Sequence, residues 1–260
     1  MDNYTNDNTA RRYTSHISVL GTTQIHLRNP WIIAWWSAAF PGVGHLLLSK
    51  YIRGFLLVVW EFVVNLNANI NLAILYSFRG DIHTVIHVLD TKWLLAYTPV
   101  YFFGIWDSYR STVDLNRIYV LAESEEHRFN SFSINPLEIN YLDKRNPLLA
   151  AVWSILAPGL GQLYIHRLLT AFVGIGATFG LFYLSHFLEA VTLLILGDVQ
   201  QSTSVLKPEW LLFLPSIYGF SIYDAYTNTV ENNKLFEKEQ RRFLQANYQD
   251  PDFHILKEKK

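Results

Sequence analysis

The sequence lacks cysteine and carries few charges. None of its 260 residues is cysteine, and only 17% are Asp, Glu, Lys or Arg. The absence of cysteine excludes disulfide bonds, thiolate nucleophiles and cysteine-ligated metal sites. The net charge of −1 shows no basic excess of the kind that nucleic-acid binding requires, so we expect no nucleic-acid partner. A soluble domain carries about a quarter charged residues, so the low fraction argues against that class too.

The sequence is rich in apolar residues, and these are arranged in long runs. Half of the residues are hydrophobic and 15% are aromatic. Several runs approach or exceed the ~20 residues that cross a ~30 Å hydrocarbon core. We therefore predict an all-α, polytopic helical membrane protein. The runs cover residues 31–49, 54–78, 93–106, 148–165, 168–196 and 210–222.

The chain repeats itself at a spacing of 117 residues. RNPWIIAWWSAAFPGVG at residues 28–44 aligns with RNPLLAAVWSILAPGLG at residues 145–161. In the same register, WDSYR around Asp107 aligns with YDAYT around Asp224. One register that matches both ends of a unit indicates an internal duplication. Each unit has a broken apolar segment, a long apolar segment, and a closing apolar segment that ends in Asp-x-Tyr.

The duplication divides the chain into five regions. We expect two membrane units, a polar flexible tail before them, a charged linker between them and a charged tail after them. In chain order these are residues 1–27, 28–117, 118–144, 145–230 and 231–260, in which 28–117 and 145–230 are the membrane units.

The distribution of Lys and Arg predicts that both units face the same way. Cytoplasmic loops near membrane helices are enriched in these residues. If each unit crosses twice and its Pro-Gly segment returns to its own side, only Arg79, Lys92 and Lys207 of the 21 basic residues lie outside. Three crossings per unit would place more of them outside. We thus expect parallel units in the cell membrane, with both termini cytoplasmic.

A Pro-Gly-x-Gly motif breaks the first apolar segment of each unit. From Pro30 to Phe40 a helix advances only ~15 Å, half of the hydrocarbon thickness. Proline removes a backbone donor, and glycine permits a tight reversal. The motif predicts a short helix that reaches half depth, turns and returns; the alternative is a kinked but complete span. The turn residues are Pro41, Gly42 and Gly44, and Pro158, Gly159 and Gly161.

The second apolar run of each unit is longer than one upright span. Residues 168–196 would measure ~43 Å as a single helix. We expect the span to end near Ser185 or His186, with FLEAVTLLILGD lying along the outer interface. In the first unit the span is expected to end around Asn65 to Asn71, with IHTVIHVLD at the interface. The alternating asparagines of NLNANINLA then mark either a wet helix end or a polar cavity.

Equivalent charged residues stand at the inner ends of the opening and closing segments. These are Arg28 and Asp107 in the first unit, and Arg145 and Asp224 in the second. We predict a structural clamp in which each Asp pairs with the Arg of its own unit or accepts bonds from amides at the Pro-Gly turn. Headgroup-level contacts with water or lipid are the alternative.

One acidic residue lies within an apolar run. Glu61 follows Arg53 by eight residues, hence ~12 Å into its span. An ionised group there costs about 3 kcal/mol, so Glu61 should face the bundle, with His45 as its partner. Gln162 replaces His45 in the second unit. We treat His45, Glu61 and Gln162 as a candidate polar site, either ion-linked or a buried bridge between helices.

Two further spacings carry weaker signals. Gly176 and Gly180 form a GxxxG motif, which favours close helix packing against the other unit or a second molecule. His83 and His87 share a helix face, but two imidazoles make an incomplete zinc site. We therefore predict polar histidines on an interfacial helix, and no metal site.

The pattern RNP-(apolar)-PGLGQLY, with a closing (W/Y)DAY, resembles small prokaryotic membrane proteins related in style to TM2-domain proteins. In those proteins the first helix ends in a Gly-rich turn before a second helix. The second unit, with APGLGQLYIHR, is the closer match. The first departs by placing His45 and Leu47 where the second has Gln162 and Tyr164. The resemblance covers residues 28–233 and implies a bacterial membrane location rather than a reaction.

The sequence shows no arrangement that would carry catalysis. Phosphate loops, nucleophile elbows, dinucleotide fingerprints and paired carboxylates are missing from it, so we predict no catalytic residue, no cofactor and no enzyme activity. The favoured role is scaffolding, assembly or signalling in the bilayer, with a protein partner or a second copy. The alternative is a small transporter or channel with its site at the paired Pro-Gly turns. A cavity that reaches Glu61 and both turns would favour transport.

Overall fold

The fold is almost entirely helical. It is given by a computed structural model that describes residues 11–125 and 131–249. Within these ranges, strands occur only as two short antiparallel hairpins. The prediction of an all-α fold is confirmed at this level.

The elements of the first half follow one another without long loops. They are β1 (Ser15–Ser18), β2 (Gly21–Gln24), α1 (Pro30–Ala39), α2 (Val43–Leu47), α3 (Tyr51–Ala68), α4 (Ile70–Phe78), α5 (Ile82–Val88) and α6 (Thr91–Ser124). The second half contains β3 (Phe132–Ile134), β4 (Ile139–Tyr141), α7 (Pro147–Leu156), α8 (Leu160–Tyr164), α9 (Leu168–Leu184), α10 (Phe187–Ile195), α11 (Val199–Val205), α12 (Pro208–Leu211) and α13 (Leu214–Tyr248).

Elements recur in the two halves at the spacing seen in the sequence. Helices α1, α2, α4 and α5 have the same bounds as α7, α8, α10 and α11 after a shift of 117 residues. The long helix α6 corresponds to α12 and α13 together. Pro215 lies in the first turn of α13, where its missing N–H is tolerated, whereas α6 contains Pro99 without a break.

The short opening helices have sequence-encoded ends. Asn29 and Asn146 cap α1 and α7 by accepting hydrogen bonds from Trp31 and Leu148 N–H, and a proline follows each cap. Both helices stop before the next proline because that ring disfavours helical backbone at the preceding residue. Gly42 and Gly159 then adopt positive φ angles of 95° and 105°, the region that glycine tolerates best.

The path of α1 to α3 can be followed against the neighbouring helix α6. The chain begins beside Asn116, which accepts a hydrogen bond from Arg28 N–H, and reaches Tyr101, whose hydroxyl donates to Ala38 O. After the turn the chain runs back along α6, as the hydrogen bond from Lys50 Nζ to Ser111 Oγ at 2.7 Å shows. The segment from α1 to α3 therefore runs along α6 from Asn116 towards Tyr101, turns there, and returns along the same helix.

Few helices are long and apolar enough to cross a bilayer. Among the described residues, α3 alone passes as a single helix, and α9 with α10 passes as a pair bent by 64°. The bend lies at Ser185 and His186, as expected, with His186 at φ 55°. In the first unit α3 ends at Ala68, also within the expected range.

The helix formed by IHTVIHVLD does not correspond to the one formed by FLEAVTLLILGD. IHTVIHVLD forms α5, the counterpart of α11. The counterpart of α10 is α4, and both begin directly after a residue in the left-handed region, Asn69 or His186. The boundary between α3 and α4 could not be seen in the sequence, because Asn69 alone separates the two helices within the asparagine run.

The main apolar core joins the two units. Trp36 of α1 packs on Tyr223 of α13 with ring centroids 5.2 Å apart, and Phe62 packs on Phe213 at 4.5 Å. The fully buried members include Ile33 and Leu47. Phe40 and Val43, on either side of the first Pro-Gly turn, also belong to this core.

Residues outside the apolar runs are ordered where the structure describes them. Residues 15–24 of the expected flexible tail form the hairpin β1–β2, which packs on the second unit through Leu168 N–H to Leu20 O; residues 1–10 of that tail lie outside the described ranges. The linker contains the end of α6 and the hairpin β3–β4. These strands of three or four residues are too short for an alternating pattern to predict them.

Candidate functional site

Asp107 organises a polar cluster in the first unit. Its Oδ2 lies 2.6 Å from Arg53 Nη1 and 2.9 Å from His45 Nε2. His45 is fully buried, while the Arg53 side chain is 52% exposed. We call Asp107, His45 and Arg53 the first acid cluster.

Asp224 organises the equivalent cluster in the second unit. Arg167 Nη1 contacts both of its carboxylate oxygens, at 2.7 and 2.8 Å, and Gln162 Nε2 donates to Oδ2 at 3.2 Å. Asp224 is fully buried and the Arg167 side chain is 4% exposed. We call Asp224, Gln162 and Arg167 the second acid cluster. Arg167 also donates to Tyr51 Oη at 2.8 Å, which ties this cluster to the first unit.

The clamp therefore forms with different arginines from those we expected. Arg28 lies level with Asn116, nine residues or ~14 Å along α6 from Asp107, beyond the reach of its side chain. Arg145 is held in the same way by Asn233, which exchanges hydrogen bonds with its backbone. Because the chain reverses at the turn, the arginines that reach the aspartates, Arg53 and Arg167, come from the segment after the turn. Arg53 and Arg167 were not predicted as members of the clamp, although each follows the Pro-Gly turn of its own unit by only a few residues.

The turn residues contribute in different ways. The second turn is closed by polar contacts, because Gly159 N–H donates to Ser221 Oγ at 3.1 Å and Ser221 donates to Gln162 Oε1 at 2.9 Å. A Cβ on Gly44 or Gly161 would collide with the serine of the preceding helix, Ser37 or Ser154. These glycines allow α2 and α8 to pack tightly on α1 and α7.

Glu61 lines a separate cavity of about 350 Å³. Its Oε1 accepts a hydrogen bond from Asn65 at 2.8 Å, and the hydroxyl of Tyr97 interacts with the same carboxyl group. Oε2 has no partner in hydrogen-bonding geometry, although Glu61 is only 4% exposed. The further lining residues include Phe40, Pro41, Asn71, Tyr101, Phe213 and Ser216.

The pairing of Glu61 with His45 is wrong. His45 bonds to Asp107, whereas Glu61 is eleven residues after Lys50 and lies level with Tyr97 and Tyr101. Gln162 belongs to the second acid cluster. The three residues thus occupy three places, and the Glu61 cavity reaches the first Pro-Gly turn but is not lined by the second.

The asparagine run divides between the cavity and its surroundings. Asn65 and Asn71 bond to each other at 3.2 Å and line the cavity, and Asn71 donates to Glu209 O. Asn67 donates to Val63 O within its own helix. The run therefore supplies both a polar cavity wall and a helix end.

Comparison with protein-family models, curated proteins and solved structures finds no match. The resemblance to TM2-domain proteins therefore stays a prediction that rests on the motifs of this sequence.

The remaining candidates are peripheral. A Cβ on Gly176 or Gly180 would meet nothing within 4 Å, so within the described ranges this motif does not pack against the other unit. The rings of His83 and His87 are tilted by 56° to each other with centroids 4.6 Å apart, and the nearby Asp81 carboxylate caps α5 through Thr84.

Proposed function

We propose that the protein is a multi-pass membrane protein made of two parallel, duplicated units, with both termini cytoplasmic. Large apolar side chains face outward, such as Ile52, Phe78 and Ile195 at 82%, 86% and 79% exposure, while charged and amide groups are buried. This inverted distribution suits a lipid surrounding, where outward apolar groups cost nothing and buried polar groups need internal partners. The TM2-like architecture and the bacterial cell membrane belong to this proposal.

The half-depth return of both Pro-Gly segments supports the parallel arrangement. The segment before each turn and the segment after it lie along the same stretch of α6 or α13. Each unit then crosses twice, so the units repeat without inversion. Shared helix bounds at one spacing support their origin by duplication.

Within this frame, we propose that the Glu61 cavity binds a small cationic solute, as the site of a small transporter or channel formed by the first unit. The cavity is lined by the first Pro-Gly turn and not by the second, so a site between both turns is not part of this proposal. The observation that carries this is the buried carboxylate with one oxygen free of hydrogen bonds in a cavity of about 350 Å³. An acid at this depth is stabilised by a cation or a proton. Tyr97 and Tyr101 add aromatic faces that favour cations.

Binding can be measured on the purified chain in neutral detergent. We expect sodium or methylammonium chloride to raise the unfolding temperature saturably, beyond the effect of choline chloride at equal ionic strength. Glu61→Gln should abolish the difference because it keeps the shape and removes the charge. Glu189→Gln is the matched control, since that carboxylate lies 57% exposed on α10. If the wild type responds alike to all three salts, the cavity does not select cations.

A scaffolding role has its own support at the cytoplasmic ends of α6 and α13. These helices are joined by Lys238 Nζ to Glu123 Oε1 at 2.6 Å, and they expose Leu121, Phe243 and Leu244 beyond the apolar runs. A second copy would cover these side chains. Light scattering should then show a dimer that Phe243→Ser with Leu244→Ser converts to a monomer; a monomeric wild type would contradict it.

A further inference from the structure

Arg28 lies in a pocket of its own at the cytoplasmic end of α1. The pocket measures about 190 Å³, several times the ~30 Å³ of one water. Its wall includes His26, Asn29, Tyr223, Tyr226 and Glu231. Both Arg28 and His26 precede α1, and Ile33 of α1 also lines the pocket. We call it the Arg28 pocket.

The guanidinium of Arg28 has no acceptor. Within the described ranges, its backbone bonds to Asn116, while its side chain forms neither a hydrogen bond nor an ion pair. Burial lowers the pKa of Arg28, and Asp224 partly offsets this from a distance. Arg28 is partly exposed, so the donors of its guanidinium are open to solvent or to a ligand in the pocket.

The second unit shows why this arginine is free. The equivalent Arg145 lies over the ring of Tyr164, 5.4 Å from its centroid. In the first unit Leu47 occupies the position of Tyr164, so Arg28 has no such ring to stack on. The site is therefore a feature of one unit and not of the shared scaffold.

The charges around the pocket leave one positive charge in excess. Asp224 is neutralised by Arg167 at 2.7 Å, and Glu231 by Lys234 at 2.7 Å. Arg28 is the remaining cation. Burial, with smaller contributions from Arg28, Lys234 and Arg167, lowers the pKa of His26 to about 3, so this imidazole adds no charge at neutral pH.

We infer that the Arg28 pocket binds a phosphate group, carried either by a lipid headgroup or by a soluble phosphate. A planar guanidinium fits two phosphate oxygens at once. The N-terminus of the ten-residue helix α1 adds its positive dipole end beside the pocket. The buried Nδ1 of His26, which has no partner, offers a further polar contact.

The first test uses the unmodified protein in neutral detergent. Phenylglyoxal modification of Arg28 is followed by peptide mass spectrometry, with Arg145 as the internal control. The probes are inorganic phosphate and dihexanoylphosphatidylglycerol, each against potassium chloride at equal ionic strength. We expect at least about fivefold slower modification of Arg28 and no change at Arg145. Protection by inorganic phosphate identifies a soluble ligand, and protection by the lipid alone identifies a headgroup; protection by neither overturns the inference.

The second test compares Arg28→Gln with Arg145→Gln. The protecting probe should raise the unfolding temperature of the wild type and of Arg145→Gln with the same half-saturating concentration. Arg28→Gln should raise that concentration about tenfold or more. Equal half-saturating concentrations in all three proteins would also overturn the inference. If Arg28→Gln does not fold, the phenylglyoxal experiment still tests it.

Discussion

The two aspartates that anchor the turns have the same role in different surroundings. Asp224 is fully buried and Arg167 nearly so, whereas the Arg53 partner of Asp107 is half exposed. Removing one member of a buried pair leaves an uncompensated charge, which costs far more than the loss of an exposed pair. The second acid cluster should therefore stabilise the fold more than the first.

Asparagine substitutions test this difference. Asp224→Asn should lower the free energy of unfolding by about 3 kcal/mol, because it strands the buried Arg167. Asp107→Asn should cost about 1 kcal/mol, because water can solvate Arg53. Denaturant titration in mixed micelles, followed by tryptophan fluorescence, measures both. Equal losses would show that the burial of the two clusters does not decide their contribution.

The importance of both aspartates could be predicted from sequence, but their partners could not. The repeat placed Asp107 and Asp224 at equivalent positions, and both anchor a cluster. Pairing them with arginines required knowing how deep the returning segment lies, and one sequence carries no such depth information. The same gap explains the wrong pairing of His45 with Glu61, since proximity along the chain does not reveal which level each residue reaches.

At the scale of elements, the Pro-Gly turn depends on one glycine conformation. Gly42 has φ 95°, and a Cβ there would collide with Gly54 O on α3. Both features oppose any larger residue. The turn thus sets the close approach of α2 to α3.

Gly42→Ala should destabilise the protein by roughly 3 kcal/mol or prevent its folding, as backbone strain and overpacking add. Gly176→Ala is the matched control, because nothing lies within 4 Å of its Cβ position; it should be neutral or slightly stabilising, since alanine favours helix. Unfolding temperatures in detergent measure both. A Gly42→Ala protein as stable as Gly176→Ala would contradict the geometry of the turn.

Element boundaries were predictable where special residues mark them. The caps Asn29 and Asn146, the prolines and the turn glycines place α1 and α7 correctly. The hairpins were missed because their strands are short and polar, and their stability comes from contacts with other elements, such as Asn140 Nδ2 to Ser18 O at 2.7 Å. Such tertiary contacts leave no local pattern.

At the scale of the whole molecule, polar groups are buried beside the apolar core, and many large apolar side chains face outward. Buried Asp224 and Glu61 contrast with exposed Ile52 and Phe78. This distribution, the reversal of both Pro-Gly segments and the spacing of the basic residues are the grounds on which we propose two parallel units that share one cytoplasmic side. The orientation of the Glu61 cavity and of the Arg28 pocket depends on that arrangement.

The topology can be measured directly because the native chain has no cysteine. Single cysteines at Arg79, Glu125, Lys207 and Lys257 would be labelled in intact cells with a membrane-impermeant maleimide, before and after permeabilisation. The proposed arrangement predicts labelling of Arg79→Cys and Lys207→Cys in intact cells, and of Glu125→Cys and Lys257→Cys only after permeabilisation. Labelling of Glu125→Cys and Lys257→Cys from opposite sides would contradict the parallel units.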